Sequence, residues 1–362
     1  MNFISSKNLI EASLFDEFID IKQLHSDQTL KVCAVFAGCG GFSLGMKGDF
    51  HSFSGNAKTY FEKNNFEVVF SNEIEPNACQ TYRNNFDTPL FEGDIRKLTA
   101  KKIPNFDILI GGFPCQDFSI SGRLGGLGVE RGRLYREMVR ILSEKQPLGF
   151  IAENVKNITN PKIIDPETGK SAIETIVSEF ESVGYRVKYG LMHGPTYGLP
   201  QNRERIFIFG TRENLDVEPK FPLPIFPRMT TKEAIDDLWD MEKNAHIPNH
   251  DQISLAKFKQ PSKSGNQGNY KLKPDQPSYV MRAEHHMNIQ GHYRTNNQND
   301  PDDRTSWRRI TVREAARVQS FPDEFTFSGT KFWTYKQVGN AVPPMFGWYM
   351  GRALYNSIFT QK

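Results

Sequence analysis

A cysteine, a glutamate and two arginines stand where their chemistries would converge. Cys115 closes an apolar run within GGFPCQDFSISG, residues 111–122. It is either a small hydrophobe finishing a strand or a nucleophile held at a sheet edge. A thiol with a pKa near ~8.5 needs the positive end of a helix or a nearby guanidinium to ionise at neutral pH. Glu153, in AENV, ends another apolar run. A desolvated carboxylic acid there could keep a proton and donate it to a ring nitrogen. Arg203 and Arg205, in GLPQNRERIF, alternate along a strand start and so share one face. Two such guanidiniums could hold a carboxylate and a substrate oxygen together.

A second constellation is the glycine turn FAGCGGFSLG, residues 36–45. Gly38 and Gly40 match a dinucleotide-binding fingerprint, but Ser43 stands where the third glycine belongs. An acid ending the next strand would hold ribose hydroxyls, and Glu73 has that position, 33 residues past Gly40 rather than the usual ~20. A nucleoside without a pyrophosphate suits this better than NAD. A plain tight turn and a surface acid would leave the same pattern. Asp94, in GDIRKL, could accept from the exocyclic amine of an adenine, with Ile74 and Ile95 sandwiching the ring; each alone also suits a loop acid or core isoleucine.

These residues need a sheet to bring them to one edge. Strands are expected at 31–36, 67–75, 105–113, 148–155, 185–192 and 204–212, with helices at 76–86 and 134–142 between them. The alternation predicts an α/β, doubly wound, Rossmann-like sheet with ligands at the strands' carboxyl ends. Proline punctuation in EPKFPLPIFP ends it at 218–227. The expected organisation is an N-terminal amphipathic extension (1–29), a catalytic and cofactor-binding domain (30–217), a smaller loop-rich domain (218–330) and a returning C-terminal helix (331–362).

Bulk properties exclude some classes. No apolar run approaches the ~20 residues of a membrane span, and the start has no secretion-signal pattern, so a cytoplasmic protein is expected. Cys33, Cys39, Cys79 and Cys115 show no CxxC spacing or paired histidines, so neither metal nor disulfide framework is expected. A net charge of +3 permits nucleic-acid binding only through a local patch. Residues 281–317 carry seven arginines against five acids, with His285, His286 and Tyr293, a composition that suits a solvated polar loop region as well as phosphate and base-edge contacts.

In order, FAGCGGFSLG, NEIEPNACQTYRNNF, GDI, GGFPCQDFSISG, RGRLY, AENV, GLPQNRERIF, RRITVREAARVQSFPDEF and QVGNAVPP resemble the motif series of DNA cytosine-5 methyltransferases, from about residue 31 to 360. The resemblance implies that S-adenosylmethionine is the cofactor and double-stranded DNA the substrate. Cys115 then looks like the nucleophile that adds to C6 of the target cytosine. Glu153 would hydrogen-bond or protonate N3, and Arg205, with Arg203 beside it, would steady the adduct near O2. C5 attacks the donor's methyl, loses its proton, and Cys115 is eliminated. The base must leave the duplex stack first, and the glycine-rich 121–133 loop would fold over it. Phe36, Gly38, Gly40, Glu73, Ile74, Asp94, Ile95, Phe113, Asn340 and Ala341 match cofactor positions. Gln116, Ser119, Arg131 and Gln201, with Arg282 and Arg294 in the target-recognition region, are the expected substrate contacts. The likeness is to the restriction–modification type, implying a monomer with a cognate restriction endonuclease as genetic partner.

Three other readings compete. A transfer-RNA cytosine methyltransferase would share these motifs, but the Cys-Phe-Thr signature of that branch is absent. A DNA-binding protein without catalysis is disfavoured by intact Cys115, Glu153 and Arg205. A nicotinamide oxidoreductase is disfavoured by Ser43. Residues 46–66 and 163–170 read as insertions, and the extension before residue 30 has no counterpart.

Overall fold

A computed structural model of the chain describes residues 3–5, 18–53, 57–114, 126–128, 130–251, 271–283, 290–294 and 308–360. Its first strands are β1 (Phe3–Ser5), β2 (Phe18–Ile19), β3 (Leu30–Val35), β4 (Phe50–Ser52), β5 (Thr59–Phe61) and β6 (Phe66–Glu73). They are followed by β7 (Leu90–Glu92), β8 (Ile108–Gly111), β9 (Gly149–Val155), β10 (Tyr185–His193), β11 (Glu204–Arg212) and β12 (Phe221–Pro222). The helices are α1 (Gly41–Lys47), α2 (Pro76–Asn85), α3 (Tyr135–Lys145), α4 (Ala172–Glu181), α5 (Thr231–Ile235), α6 (Val312–Val318), α7 (Lys331–Asn340) and α8 (Pro344–Ile358).

Eight strands form one sheet in the order β1-β10-β11-β9-β8-β3-β6-β7. All neighbours are parallel except β11, which runs antiparallel between β9 and β10. The long apolar runs read as strands because both faces of the sheet are covered. Val32, Ala34, Ile108, Ile110, Ile151, Phe207 and Phe209 join one buried cluster, which also holds Met345, Phe346 and Tyr349 of α8. Their alternates Cys33, Val35, Leu109, Phe150, Ala152, Ile206 and Ile208 join the other, with Met138 of α3 and Phe180 of α4. Among the described residues no helix is long and apolar enough to cross a membrane.

The sheet's carboxyl edge collects the motif residues. β3 ends at the glycine turn, β6 at Glu73 and β8 just before Pro114, while Glu153 lies near the end of β9. The chain returns to this edge through two helices rather than the single C-terminal helix expected. α8 lies so close to α1 that a Cβ on Gly45 would fall 2.2 Å from the Pro344 carbonyl oxygen.

Residues 18–28 form a backbone-held strap. β2 pairs with β12, and β1 adds a parallel strand to the edge at β10. Arg352 of α8 donates to the Ile21 and Lys22 carbonyls at 2.6 and 2.8 Å. Tyr355 donates to the Ser26 and Gln28 carbonyls, and Asn356 to those of Asp20 and Gln23.

Candidate active site

The turn after β3 is built from backbone that most side chains avoid. Phe36, Gly38 and Gly40 take φ of 51°, 56° and 100°, the left-handed region where glycine carries no Cβ penalty. A Cβ on Gly40 would lie 2.3 Å from the Phe86 ring, whereas one on Gly38 would meet nothing within 4 Å. Gly38 lines a cavity of about 310 Å³, so its bare side is open to a ligand. Glu73 locks this turn to β6: its carboxylate accepts from the amides of Gly38 (2.7 Å), Ile74 (2.8 Å) and Glu75 (2.9 Å). Burial pushes this carboxyl upward against those three donors.

An adjoining cavity of about 410 Å³ is shared by Phe36, Glu73, Ile74, Asp94, Ile95 and Pro114, among others. Ile95 is buried and Ile74 is 62% exposed, giving the cavity an apolar floor and rim. Asn72 Nδ2 fixes the GDI loop by donating to the Phe91 and Gly93 carbonyls. Asp94 is clasped by Arg96, whose Nε lies 3.0 Å from both carboxylate oxygens. The guanidinium brings its pKa down to about 2. Arg96 meets both oxygens through its backbone amide, Nε and Nη2, so a ligand amine would take this carboxylate by displacing the exposed Arg96 side chain. The two cavities, which share Phe36, Glu73, Ile74 and Pro114 in their walls, fall in the ~300–1,000 Å³ range of small-molecule sites. An acceptor for an amine, apolar walls for a ring and the bare Gly38 side fit S-adenosylmethionine.

The chemistry-bearing half meets this site at Pro114. Pro114 lines both cavities, and Phe113 and Glu153 line the first. Cys115, Gln116 and Ser119 lie outside the described residues, as does the side chain of Arg131. Pro114 is nonetheless the residue bonded to Cys115. Its approach is fixed by Asn154, whose Nδ2 donates to the Phe113 carbonyl at 3.1 Å. Glu153 is 7% exposed, and its Oε1 is 2.8 Å from Arg205 Nε. Residue 153 faces Phe207 across the β9–β11 ladder, so Arg205 is its diagonal neighbour on the same face. Desolvation outweighs the two nearby arginines and pushes the Glu153 carboxyl up. A Cβ on Gly112 would sit 3.2 Å from Glu153 Oε2, so glycine there leaves the carboxyl its space.

Arg203 departs from the expectation of a partner beside Arg205. It precedes β11, so strand alternation does not govern it, and it is fully buried. Its guanidinium donates to the carbonyls of Met281, Gly339 and Ala341 at 3.0, 3.1 and 2.8 Å. Arg203 therefore ties the start of β11 to the GNA segment and to residue 281, a positioning task. Gln201 is likewise fully buried. It donates to the Val318 carbonyl and Gln319 Oε1 and accepts from the Met281 amide, so its side chain is consumed inside the protein and offers nothing to a groove. Arg282 is half-buried beside Gly339. Arg294 keeps 43% exposure while paired with Asp236.

Asn340 and Ala341 line the first cavity, together with three neighbours on α7 that the motifs do not mark: Trp333, Lys336 and Gln337. Positions 333, 336, 337 and 340 repeat at helical spacing, the one signal in KFWTYKQVGN that could have placed them on one wall.

Comparison with known proteins agrees with this geometry. The family model described as C-5 cytosine-specific DNA methylase matches residues 30–356. The chain is 32% identical to the type II methyltransferase M.NgoFVII of Neisseria gonorrhoeae, over 87% of this chain and 83% of that one. It is 31% identical to M.FnuDI of Fusobacterium nucleatum, covering 87% and 91%. A solved putative DNA modification methyltransferase from an E. coli prophage superposes with a TM-score of 0.64 at 25% identity, covering 91% and 99%. The S. pombe Dnmt2 methyltransferase has the same TM-score at 18% identity and shares the fold. With the family model spanning nearly the whole chain and the motif residues gathered on one sheet edge, this protein belongs to the C-5 cytosine-specific DNA methylases, enzymes that use S-adenosylmethionine.

Proposed function

We propose that the enzyme methylates C5 of a cytosine flipped out of a short, specific double-stranded DNA sequence, through a covalent bond between Cys115 and C6. C5 of cytosine is otherwise a poor nucleophile, and addition at C6 divides one hard step into easier ones. The observation that carries this reading is the convergence at one cavity of buried Glu153, paired with Arg205, and Pro114, the residue bonded to Cys115. The other three thiols are poor candidates. Cys39 and Cys79 are pushed up to about 12 by burial, and Cys33 still higher. Glu153 holds or delivers a proton at N3, Arg205 keeps that carboxyl in place, and Cys115 adds to C6. The bound cofactor supplies an electrophilic methyl group. C5 then loses its proton as the C6–S bond breaks, returning the thiol.

The same reading makes the chain the modification half of a restriction–modification pair, acting as a monomer, with residues 218–330 reading the target. Labelled methyl groups should enter duplex DNA and not transfer RNA, and bisulfite sequencing of DNA from expressing cells should show one recurring short context. Label confined to transfer RNA would sink the substrate assignment. Exchanging residues 220–310 with those of a relative of different specificity should move the methylated sequence and leave cofactor affinity intact. Unchanged sites in the chimera would count against that region as the reader.

A further inference from the structure

The cavity wall supplied by α7 carries a cation and an amide oxygen that have no polar counterpart among the described residues. Gln337 is 5% exposed, and its Nε2 donates to the Ser328 carbonyl at 2.9 Å. Its Oε1 has no hydrogen-bond partner among the described residues. Of the buried polar atoms in that condition, it alone belongs to a residue lining either cavity. A buried acceptor without a donor is costly and uncommon, so a ligand N–H is what would complete it. The adjacent Lys336 also lines the cavity, and among the described residues it has no carboxylate within ion-pair distance. Its ammonium lies 4.6 Å from the Trp333 ring centroid and 5.8 Å from that of Phe332. Those rings hold the cation at the wall.

S-adenosylmethionine presents three regions: adenosine, sulfonium and a zwitterionic amino-acid end. Under the proposed function Asp94, Ile95 and Ile74 would serve the first from the neighbouring cavity, and Glu153 lines the other cavity, where the methyl would be needed. The amino-acid end needs a cation for its carboxylate and an acceptor for its ammonium. Among the described residues, the carboxylates near the turn already accept from the protein: Glu73 from three amides, Glu75 from Asn77 and Ala78, and Glu153 from Arg205. α7 offers one cation and one open acceptor side by side. We propose that Lys336 and Gln337 form the subsite for the amino-acid end of the cofactor, Lys336 Nζ donating to the α-carboxylate and Gln337 Oε1 accepting from the α-ammonium. This rests on S-adenosylmethionine being the cofactor.

Calorimetric titration of the full chain without DNA tests it, using three ligands. S-adenosylhomocysteine carries the whole amino-acid end, its decarboxylated analogue lacks the carboxylate, and 5′-methylthioadenosine lacks the end altogether. Lys336→Met is expected to weaken S-adenosylhomocysteine about 10-fold or more, as for a lost charge-assisted contact, and to leave methylthioadenosine affinity unchanged. In that variant, removing the ligand's carboxylate should cost nothing further, whereas the wild type should lose as much as the mutation removed. Gln337→Met should weaken both ammonium-bearing ligands alike. Methylthioadenosine affinity reports that the nucleoside half is intact. An unaltered preference for S-adenosylhomocysteine over methylthioadenosine in Lys336→Met overturns the proposal. So does a defect of that variant confined to duplex binding, which would assign Lys336 to a phosphate. A wild-type chain that binds none of the three ligands refutes the cofactor assignment itself, a distinct outcome.

Discussion

Cys115→Ser is expected to lower methyl transfer by about 10³-fold or more, the scale seen when a covalent nucleophile is removed, while thermal stability and S-adenosylhomocysteine binding stay at wild-type values. The argument is partly one of elimination. Cys33, Cys39 and Cys79 are buried, and burial holds their thiols protonated, which leaves one sulfur able to become a thiolate. It is also positional, because Pro114 lines both cavities and carries Cys115 on its carbonyl. A serine hydroxyl fills similar space but ionises far above neutrality. With a duplex containing 5-fluorocytosine, fluorine at C5 replaces the proton that must leave, so the adduct cannot eliminate. The wild type should give an SDS-resistant conjugate mapped to residue 115, and Cys115→Ser none. Undiminished incorporation of labelled methyl by the serine variant would remove the covalent step from the reading.

The strands that position this site were legible because a sheet covered on both faces writes itself as continuous apolar runs. LGFIAENV at 148–155 became β9 at Gly149–Val155, and ERIFIFGTR became β11 unchanged. Glu73, Asp94 and Glu153 were legible for a related reason, as polar residues where an apolar run stops. Strand order was not: β11 enters antiparallel between β9 and β10, and a continuous apolar run carries no mark of its neighbour or its direction. Arg203 escapes period-two alternation because it lies one residue before β11, where three backbone carbonyls capture the guanidinium. Carbonyls have no sequence signature, and the same blindness hid the N-terminal strap, which α8 holds through the carbonyls of residues 20–28. The α7 wall went unseen since an aromatic, a lysine and two amides on one helical face have no hydrophobic period to announce them.

Glu153→Gln is expected to cost about 10²- to 10⁴-fold in methyl transfer, the range for losing a positioned proton donor. Glutamine keeps the shape and an N–H, but has no proton to transfer and leaves Arg205 without its counter-charge, 2.8 Å away in the wild type. The wild-type carboxyl is raised by desolvation beyond what Arg205 and Arg203 pull back, so it holds its proton to a higher pH than a solvated glutamate near ~4.3. The signs follow directly. Activity dependent on the protonated form should decline as pH rises through the raised value, and that decline should vanish in the glutamine variant. For stability, an acid raised on folding contributes most below its unfolded pKa, and the contribution is lost as pH climbs through the folded one. Denaturation midpoints of wild type minus variant should therefore fall across the same window in which the rate falls. Agreement between the two windows would tie proton donation to the buried carboxyl itself. A variant with full activity, or a wild-type rate whose alkaline decline survives the substitution, would place the N3 proton on some other group.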